Sequence, residues 1–164
     1  MKKKIKIINY LINPITIKEF IKKFDSLINS KKLVKYVCVS AVHGAVESFY
    51  NKKYQLAHDN ASIAVPDGRP IYWVLKLFGC KTDHLPGYYV TDKICQLANQ
   101  HNYSIGIYGS SIEVQKKFIT KIKKRYKKIR FNFLYAPPFK KLNLKEKKEI
   151  QKKINKSKVD ILFV

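Results

Sequence analysis

An α/β fold is expected for this chain: a mostly parallel sheet with helices on both faces, behind a small N-terminal β-hairpin or strand plus helix. Short β-rich apolar runs alternate with helical patterns from Leu33 onward. No repeat or linker-like stretch interrupts the alternation, and 164 residues suit a single domain, 1–164, with a modest core. Hydrophobic residues make up 46% and aromatics 13%, which excludes a disordered chain.

Lys4 to Asn9 alternates and reads as a short strand. Thr16 and Glu19 have the spacing of a capping box, and Ile17, Phe20, Ile21, Phe24, Leu27 and Ile28 behind them form one helical face. Leu33 to Val39 is β-rich and reads as a buried strand. His43 to Phe49 and Tyr54 to Ala57 suit short helices, and Ile63 to Val65 a short strand. Ile71 to Phe78 is helical, with Trp73 on its apolar face, and Val90 to Asn99 is a further helix after a loop carrying Pro86-Gly87-Tyr88-Tyr89. Ser104 to Tyr108 is a strand, followed by Gly109-Ser110-Ser111 and a helix in which Ser110 and Glu113 have capping-box spacing. Val114, Phe118 and Ile122 face inward on that helix and its lysines outward. Ile129 to Leu134 is the next strand, and Ala136-Pro137-Pro138-Phe139 must be loop. Asn143 to Glu146 imitates a cap ahead of a Lys-rich helix to about Ile154, and Val159 to Val164 is one more strand. The whole reads as a Rossmann-like arrangement, in which ligand loops follow the strand C-termini.

One junction stands out. Val65-Pro66-Asp67-Gly68-Arg69-Pro70 holds a single carboxylate on a stiff turn between an apolar run and a helix. Pro66 restricts its own φ, Gly68 permits angles a side chain would forbid, and Pro70 suits a first helical turn. Alone, Pro-Asp-Gly is an ordinary turn. Ser40 and His43 follow the Leu33–Val39 strand and fall on the same expected C-terminal rim. Gly109-Ser110-Ser111 ends a strand and opens a helix, a junction suited to phosphate but also a plain turn. Tyr88 and Tyr89 sit where a base or sugar could stack.

The net charge is +23, from 34 Lys plus Arg against 11 Asp plus Glu. Arg occurs only at Arg69, Arg125 and Arg130, few for a specific reader of DNA. A polyanionic partner and plain compositional bias both account for the lysines, and the runs at 121–128 and 145–153 fall on solvated helix faces. Cys38, Cys80 and Cys95 lack metal spacing. Cys38 and Cys95 read as core, and a reducing compartment fits. His43, His58, His84 and His101 show no ligand spacing, so no metal is expected. Met1-Lys2-Lys3-Lys4 resembles a signal n-region, but Lys6, Asn9, Asn13 and Pro14 break the apolar stretch that should follow. No run approaches the roughly 18 apolar residues of a membrane span, so membrane contact is expected to be peripheral.

Taken together the pieces resemble the WecG/TagA/CpsF family of bacterial glycosyltransferases. The matching stretches are Val39-Ser40-Ala41-Val42-His43-Gly44, Asn60 through Pro70, Leu85-Pro86-Gly87, Ile107-Tyr108-Gly109-Ser110, Ala136-Pro137-Pro138-Phe139-Lys140 and Ile154 through Val164. They run in the family's order over nearly the whole chain.

The resemblance implies transfer of an N-acetylhexosamine-type sugar from a UDP-sugar to a lipid-pyrophosphate-linked sugar. The setting is the cytoplasmic face of the cell membrane, in teichoic acid, capsule or related polysaccharide synthesis; separately, the lysines on exposed helices are expected to hold the protein peripherally at anionic lipid. The implied reaction is inverting and uses no metal or other cofactor; a homo-oligomer is implied, and no specific nucleic-acid partner. Asp67 is implied as general base, with Ser40 nearest to the family's catalytic-site Thr. His43, Gly68, Arg69, Gly87, Tyr88 and Tyr89 are implied in substrate binding, and Tyr108, Gly109, Ser110, Ser111, Pro138 and Phe139 in nucleotide binding. His84 stands where the family often has Arg, which weakens an anion role there. The chain ends at Val164, before the family's Gly-x-Gly-x-Pro-Lys-Gln-Glu stretch and C-terminal appendage, so a truncated chain with weak or absent activity is expected. The alternatives are a basic nucleic-acid-binding α/β module and an inactive remnant or partner subunit.

Overall fold

The computed structural model describes residues 4–30 and 35–164. The predicted strand residues Leu33 and Val34, and Met1 to Lys3, lie outside them. The described residues form a mixed α/β fold of two compact units, Met1–Asp92 and Lys93–Val164.

The first unit opens with an antiparallel hairpin, β1 (Ile5–Ile7) and β2 (Tyr10–Ile12), in the register Ile7↔Tyr10. The single strand read from Lys4 to Asn9 is thus cut short: Ile8 adopts φ 55° and reverses the chain at Asn9. Helix α1 (Ile17–Asn29) carries the expected capping box. The Thr16 N–H donates to Glu19 at 2.8 Å and Glu19 N–H to Thr16 Oγ1 at 3.3 Å. Asp83 accepts from Ile17 N–H at 2.8 Å, taking up a second donor of the first turn. Phe20 and Phe24 are buried, their rings 5.6 Å apart.

Strand β3 (Val37–Ser40) pairs in parallel with β4 (Ile63–Pro66), from Val37↔Ile63 to Ser40↔Pro66. On the other side of β4, Asn13 both donates to the Ala64 carbonyl (2.9 Å) and accepts from the Ala64 N–H (2.8 Å). β4 is therefore bonded on both edges and buried at every position. Helices α2 (Val42–Tyr50) and α3 (Lys52–Asp59) connect the two strands. Helix α4 (Arg69–Leu77) follows β4. Ile7, Tyr10, Ile12, Ala45, Ile71 and Leu75 make one core cluster, joining the hairpin to α2 and α4. Trp73, expected in that core, is 56% exposed; the buried stripe of α4 is Ile71 and Leu75, and Trp73 lies away from it. Cys38 is only half-buried, whereas Cys95 is fully buried as expected.

Helix α5 (Gly87–His101) begins earlier than its apolar pattern indicated, so Tyr88 and Tyr89 lie in its first turn and not in a loop. Pro86 makes this possible, because its carbonyl accepts from the N–H groups of Tyr89 and Val90.

The second unit is built on β5 (Ser104–Tyr108), flanked in parallel by β6 (Arg130–Tyr135) and β7 (Ile161–Phe163) in the order β6-β5-β7. Helix α6 (Ile112–Arg125) crosses from β5 to β6, and α7 (Leu144–Ser157) from β6 back past β5 to β7. Right-handed crossovers in opposite directions put these helices on opposite faces. Gly106 is required at the centre: a Cβ there would lie 2.9 Å from Leu162 Cδ1 and 3.3 Å from Phe133 Cβ. Asp160 accepts from both the N–H and the hydroxyl of Ser104 at 2.7 Å, tying β7 to β5. The cap read at Asn143 is a true capping box with Glu146.

Two readings of α6 are corrected. Its N-cap is Ser111, whose hydroxyl accepts from Val114 N–H; Ser110 sits at φ 61° and cannot cap. Val114 is exposed, and the inward face is Gln115, Phe118 and Ile122, one residue round the helix from the apolar pattern.

Candidate functional site

Ser40 and Pro66 are the last paired residues of β3 and β4. The Asp67 N–H bonds the Ser40 carbonyl at 3.0 Å, which carries the parallel ladder one residue past β4. Gly68 then turns the chain with φ 82° and serves as N-cap of α4, with Pro70 in the first turn. At that φ a side chain would be strained. The Asp67 side chain is half-buried, and its carboxylate has no hydrogen-bond or ionic partner among the described residues.

Beneath this turn lies a buried polar group. The Ser40 side chain, 1% exposed, is 2.7 Å from His58 Nε2. His58 is 4% exposed and packs against the Tyr10 ring, tilted by 56° with 4.3 Å between centroids. Tyr10 Oη donates to the Ala41 carbonyl at 2.6 Å. Burial pushes the His58 pKa down to about 4, against the opposing pull of Asp59, so the ring is neutral at neutral pH. Burial also raises the Tyr10 phenol above its ordinary range, with the charges of Tyr54 and Asp67 adding to it. Ser40 therefore faces the interior, and its structural part is to hold the floor of the Asp67 turn.

The remaining residues of this edge surround the turn. His43 is exposed in the first turn of α2, and Arg69 is exposed as the first residue of α4. Leu85 N–H donates to the Pro66 carbonyl at 3.0 Å, which fastens Leu85-Pro86-Gly87 to the end of β4. Tyr88 is 80% exposed and Tyr89 half-buried. Ser40, His43, Asp67, Gly68, Arg69 and the Gly87–Tyr89 turn thus share one edge of the first unit. His84 packs near the Tyr72 ring, 6.1 Å between centroids. A lone positioned carboxylate with exposed cationic and aromatic neighbours suits proton abstraction from a polar, anion-bearing ligand.

The other candidates lie on the second unit, at the carboxyl ends of β5 and β6. β5 is a topological switch point, with the chain crossing to β6 on one side and β7 on the other. Gly109 (φ 114°) and Ser110 (φ 61°) carry the chain from β5 to Ser111, and α6 begins at Ile112. Gln115, 4% exposed, donates to the carbonyls of Gly109 (2.7 Å) and Tyr135 (3.0 Å). Gly109 N–H bonds the same Tyr135 carbonyl at 2.9 Å. The loop is thereby stiffened, while the Ile112 and Glu113 N–H groups open outward in the first turn. Tyr108 and Tyr135 stack in parallel, 6.0 Å apart, with Lys153 over Tyr135 at 5.5 Å. Pro138 and Phe139 are exposed on the loop after β6, which Lys140 pins to α7 through Glu146 at 2.6 Å.

Sequence reasoning missed His58, Gln115 and Tyr135. His58 shares the buried side of α3 with Gln55, a short polar stripe that reads as surface. Gln115 lies on the same face as Phe118 and Ile122, and that spacing was its one signal. Among the described residues no group of three or more His, Cys, Asp or Glu is placed to hold a metal ion, and no helix is long and apolar enough to cross a membrane.

Comparison with individually curated proteins gives no significant match. The family model described as "Glycosyl transferase WecG/TagA/CpsF family" matches residues 5–164, a span that takes in both strand-end edges and every motif between them. With nearly its whole length so matched, the chain belongs to the WecG/TagA/CpsF family of glycosyltransferases.

Proposed function

We propose that the protein moves an N-acetylhexosamine-type sugar from a UDP-sugar to a lipid-pyrophosphate-linked sugar with inversion, Asp67 acting as general base. The supporting observation is the Asp67 carboxylate itself: it has no partner among the described residues, and its turn is fixed through the Ser40 carbonyl. The acceptor hydroxyl gives its proton to the carboxylate as its oxygen bonds to the anomeric carbon. The bond from that carbon to the UDP oxygen breaks, and its electron pair leaves with the diphosphate. One carboxylate suffices for a single inverting displacement, and no metal is needed for proton removal. His43 and Arg69, exposed beside the turn, serve substrate anions and hydroxyls, with Gly68, Gly87, Tyr88 and Tyr89 shaping the same edge. The nucleotide diphosphate belongs at Gly109-Ser110-Ser111, where the first N–H groups of α6 and the helix dipole favour negative charge. Tyr108 and the Pro138-Phe139 loop are assigned to the nucleoside.

Attachment to an anionic membrane face accords with the +23 charge and with Trp73, Leu77 and Phe78, exposed at 56%, 86% and 61% beside Lys76 on α4. Aromatic, aliphatic and basic side chains together form an interfacial anchor. Polysaccharide assembly on the cytoplasmic face and self-association belong to the same reading.

The test is transfer from a UDP-sugar to a lipid-pyrophosphate-sugar analogue by wild type and Asp67→Asn. The amide keeps the shape but accepts no proton, so turnover should fall by roughly 10²–10⁴-fold with the fold unchanged. Equal turnover by the two proteins would remove Asp67 from the role.

A further inference from the structure

We propose that His58 is a positioning residue for Asp67: its imidazole fixes Ser40, and Ser40 fixes the turn that carries the carboxylate. The inference rests on the reading of Asp67 as the base.

The last pair of β3 and β4 is Ser40↔Pro66, and the Pro66 carbonyl faces the other edge, where it accepts from Leu85 N–H. Asp67 N–H to the Ser40 carbonyl is therefore the bond that ties the start of the turn to β3. Its direction depends on how the tip of β3 is held. Two side chains hold that tip from the interior: His58 at the Ser40 hydroxyl (2.7 Å) and Tyr10 at the Ala41 carbonyl (2.6 Å). They also pack on one another, 4.3 Å between ring centroids, so neither moves alone.

His58 Nδ1 is buried with no hydrogen-bond partner. Either tautomer keeps the bond: Nε2–H donates to Ser40 Oγ, or the Ser40 hydroxyl donates to Nε2. The imidazole is thus a directional hydrogen-bond partner for Ser40 Oγ. An apolar side chain of similar volume would fill the space and leave Ser40 Oγ, 1% exposed, without its partner. A merely space-filling histidine would be replaceable by such a side chain.

The test compares His58→Gln, whose amide can donate to or accept from Ser40 Oγ, with His58→Leu, which can do neither. Two quantities are read: native-state hydrogen exchange of the Asp67 amide, and kcat against KM for UDP-sugar transfer. In His58→Leu the Asp67 amide should exchange about tenfold faster. kcat should drop by about tenfold with donor KM little changed, because a displaced base harms the reaction more than binding. His58→Gln should restore both towards wild type. A folded His58→Leu protein with wild-type exchange at Asp67 and wild-type kcat would overturn the proposal, as would equal losses in the Gln and Leu variants. If His58→Leu does not fold, Ser40→Ala removes the same bond from its other end and is judged by the same two readouts. If wild type shows no transfer, the Asp67 exchange rate alone decides whether His58 holds the turn.

Discussion

Lowering the pH from about 7 to about 5 should destabilise the fold by about 2 kcal/mol through His58 alone. The ring is 4% exposed, and its pKa is lowered from 6.5 to about 4, chiefly by burial. In the unfolded chain the ring takes up a proton near pH 6.5; in the folded chain it does so only near 4. Between these values the unfolded state holds more protons, so acid favours unfolding. The contribution is intact above pH 6.5 and is lost as pH falls towards 4. A shift of this size is worth about 3 kcal/mol at its ceiling, and most of it has gone by pH 5. The charged neighbours are Asp59, which favours the imidazolium, and Lys4, which opposes it. Urea denaturation followed by circular dichroism at stepped pH, on wild type and His58→Gln, isolates the effect, since every other group titrates alike in both. Wild type should lose about 2 kcal/mol more than the variant over that window. Parallel curves would refute the argument.

Four further outcomes are expected. Gly106→Ala should lower stability by about 1–3 kcal/mol in the same assay, because Leu162 can swing aside but the Phe133 Cβ at 3.3 Å cannot. Gln115→Leu should cost about 1–3 kcal/mol by leaving the Gly109 carbonyl unpaired, and should weaken UDP binding measured by calorimetry. Thr16→Ala should cost about 1 kcal/mol through loss of the α1 cap, read as a lower melting temperature. Replacing Trp73, Leu77 and Phe78 together by Ser should reduce sedimentation with anionic liposomes and leave the circular dichroism spectrum unchanged.

What was legible in the sequence was what local physics determines. The Thr16–Glu19 cap, the alternation of strands and helices and the Pro-Asp-Gly turn all depend on residues close together in the chain. Errors arose where tertiary bonds decided. Ser110 and Ser111 have the same intrinsic capacity to cap; Ser110 is excluded only because the chain leaving Gly109 passes through a left-handed conformation. Val114 and Gln115 compete for the same inward sector, and hydropathy favours Val114. Gln115 occupies the sector because two carbonyls, on β5's exit loop and at the end of β6, require a donor there. Trp73 fails for the complementary reason: periodicity marks it apolar but cannot say which side of α4 meets a core.

These misses share a physical cause that also marks the candidate site. Burying a polar side chain is unfavourable unless each group finds a partner. Ser40 with His58, and Gln115, are buried polar residues placed at strand carboxyl ends, one beneath each candidate edge. An apolar side chain at any of these positions would fill the space but leave a buried carbonyl or hydroxyl unpaired, at about 1–3 kcal/mol. None would hold that group in a set direction. Besides this stability, the bonds give fixed geometry at Asp67 and at Gly109–Ser111. If that is right, the apolar variants His58→Leu and Gln115→Leu should lose more in turnover than in stability, and the opposite order would return both residues to the ordinary core.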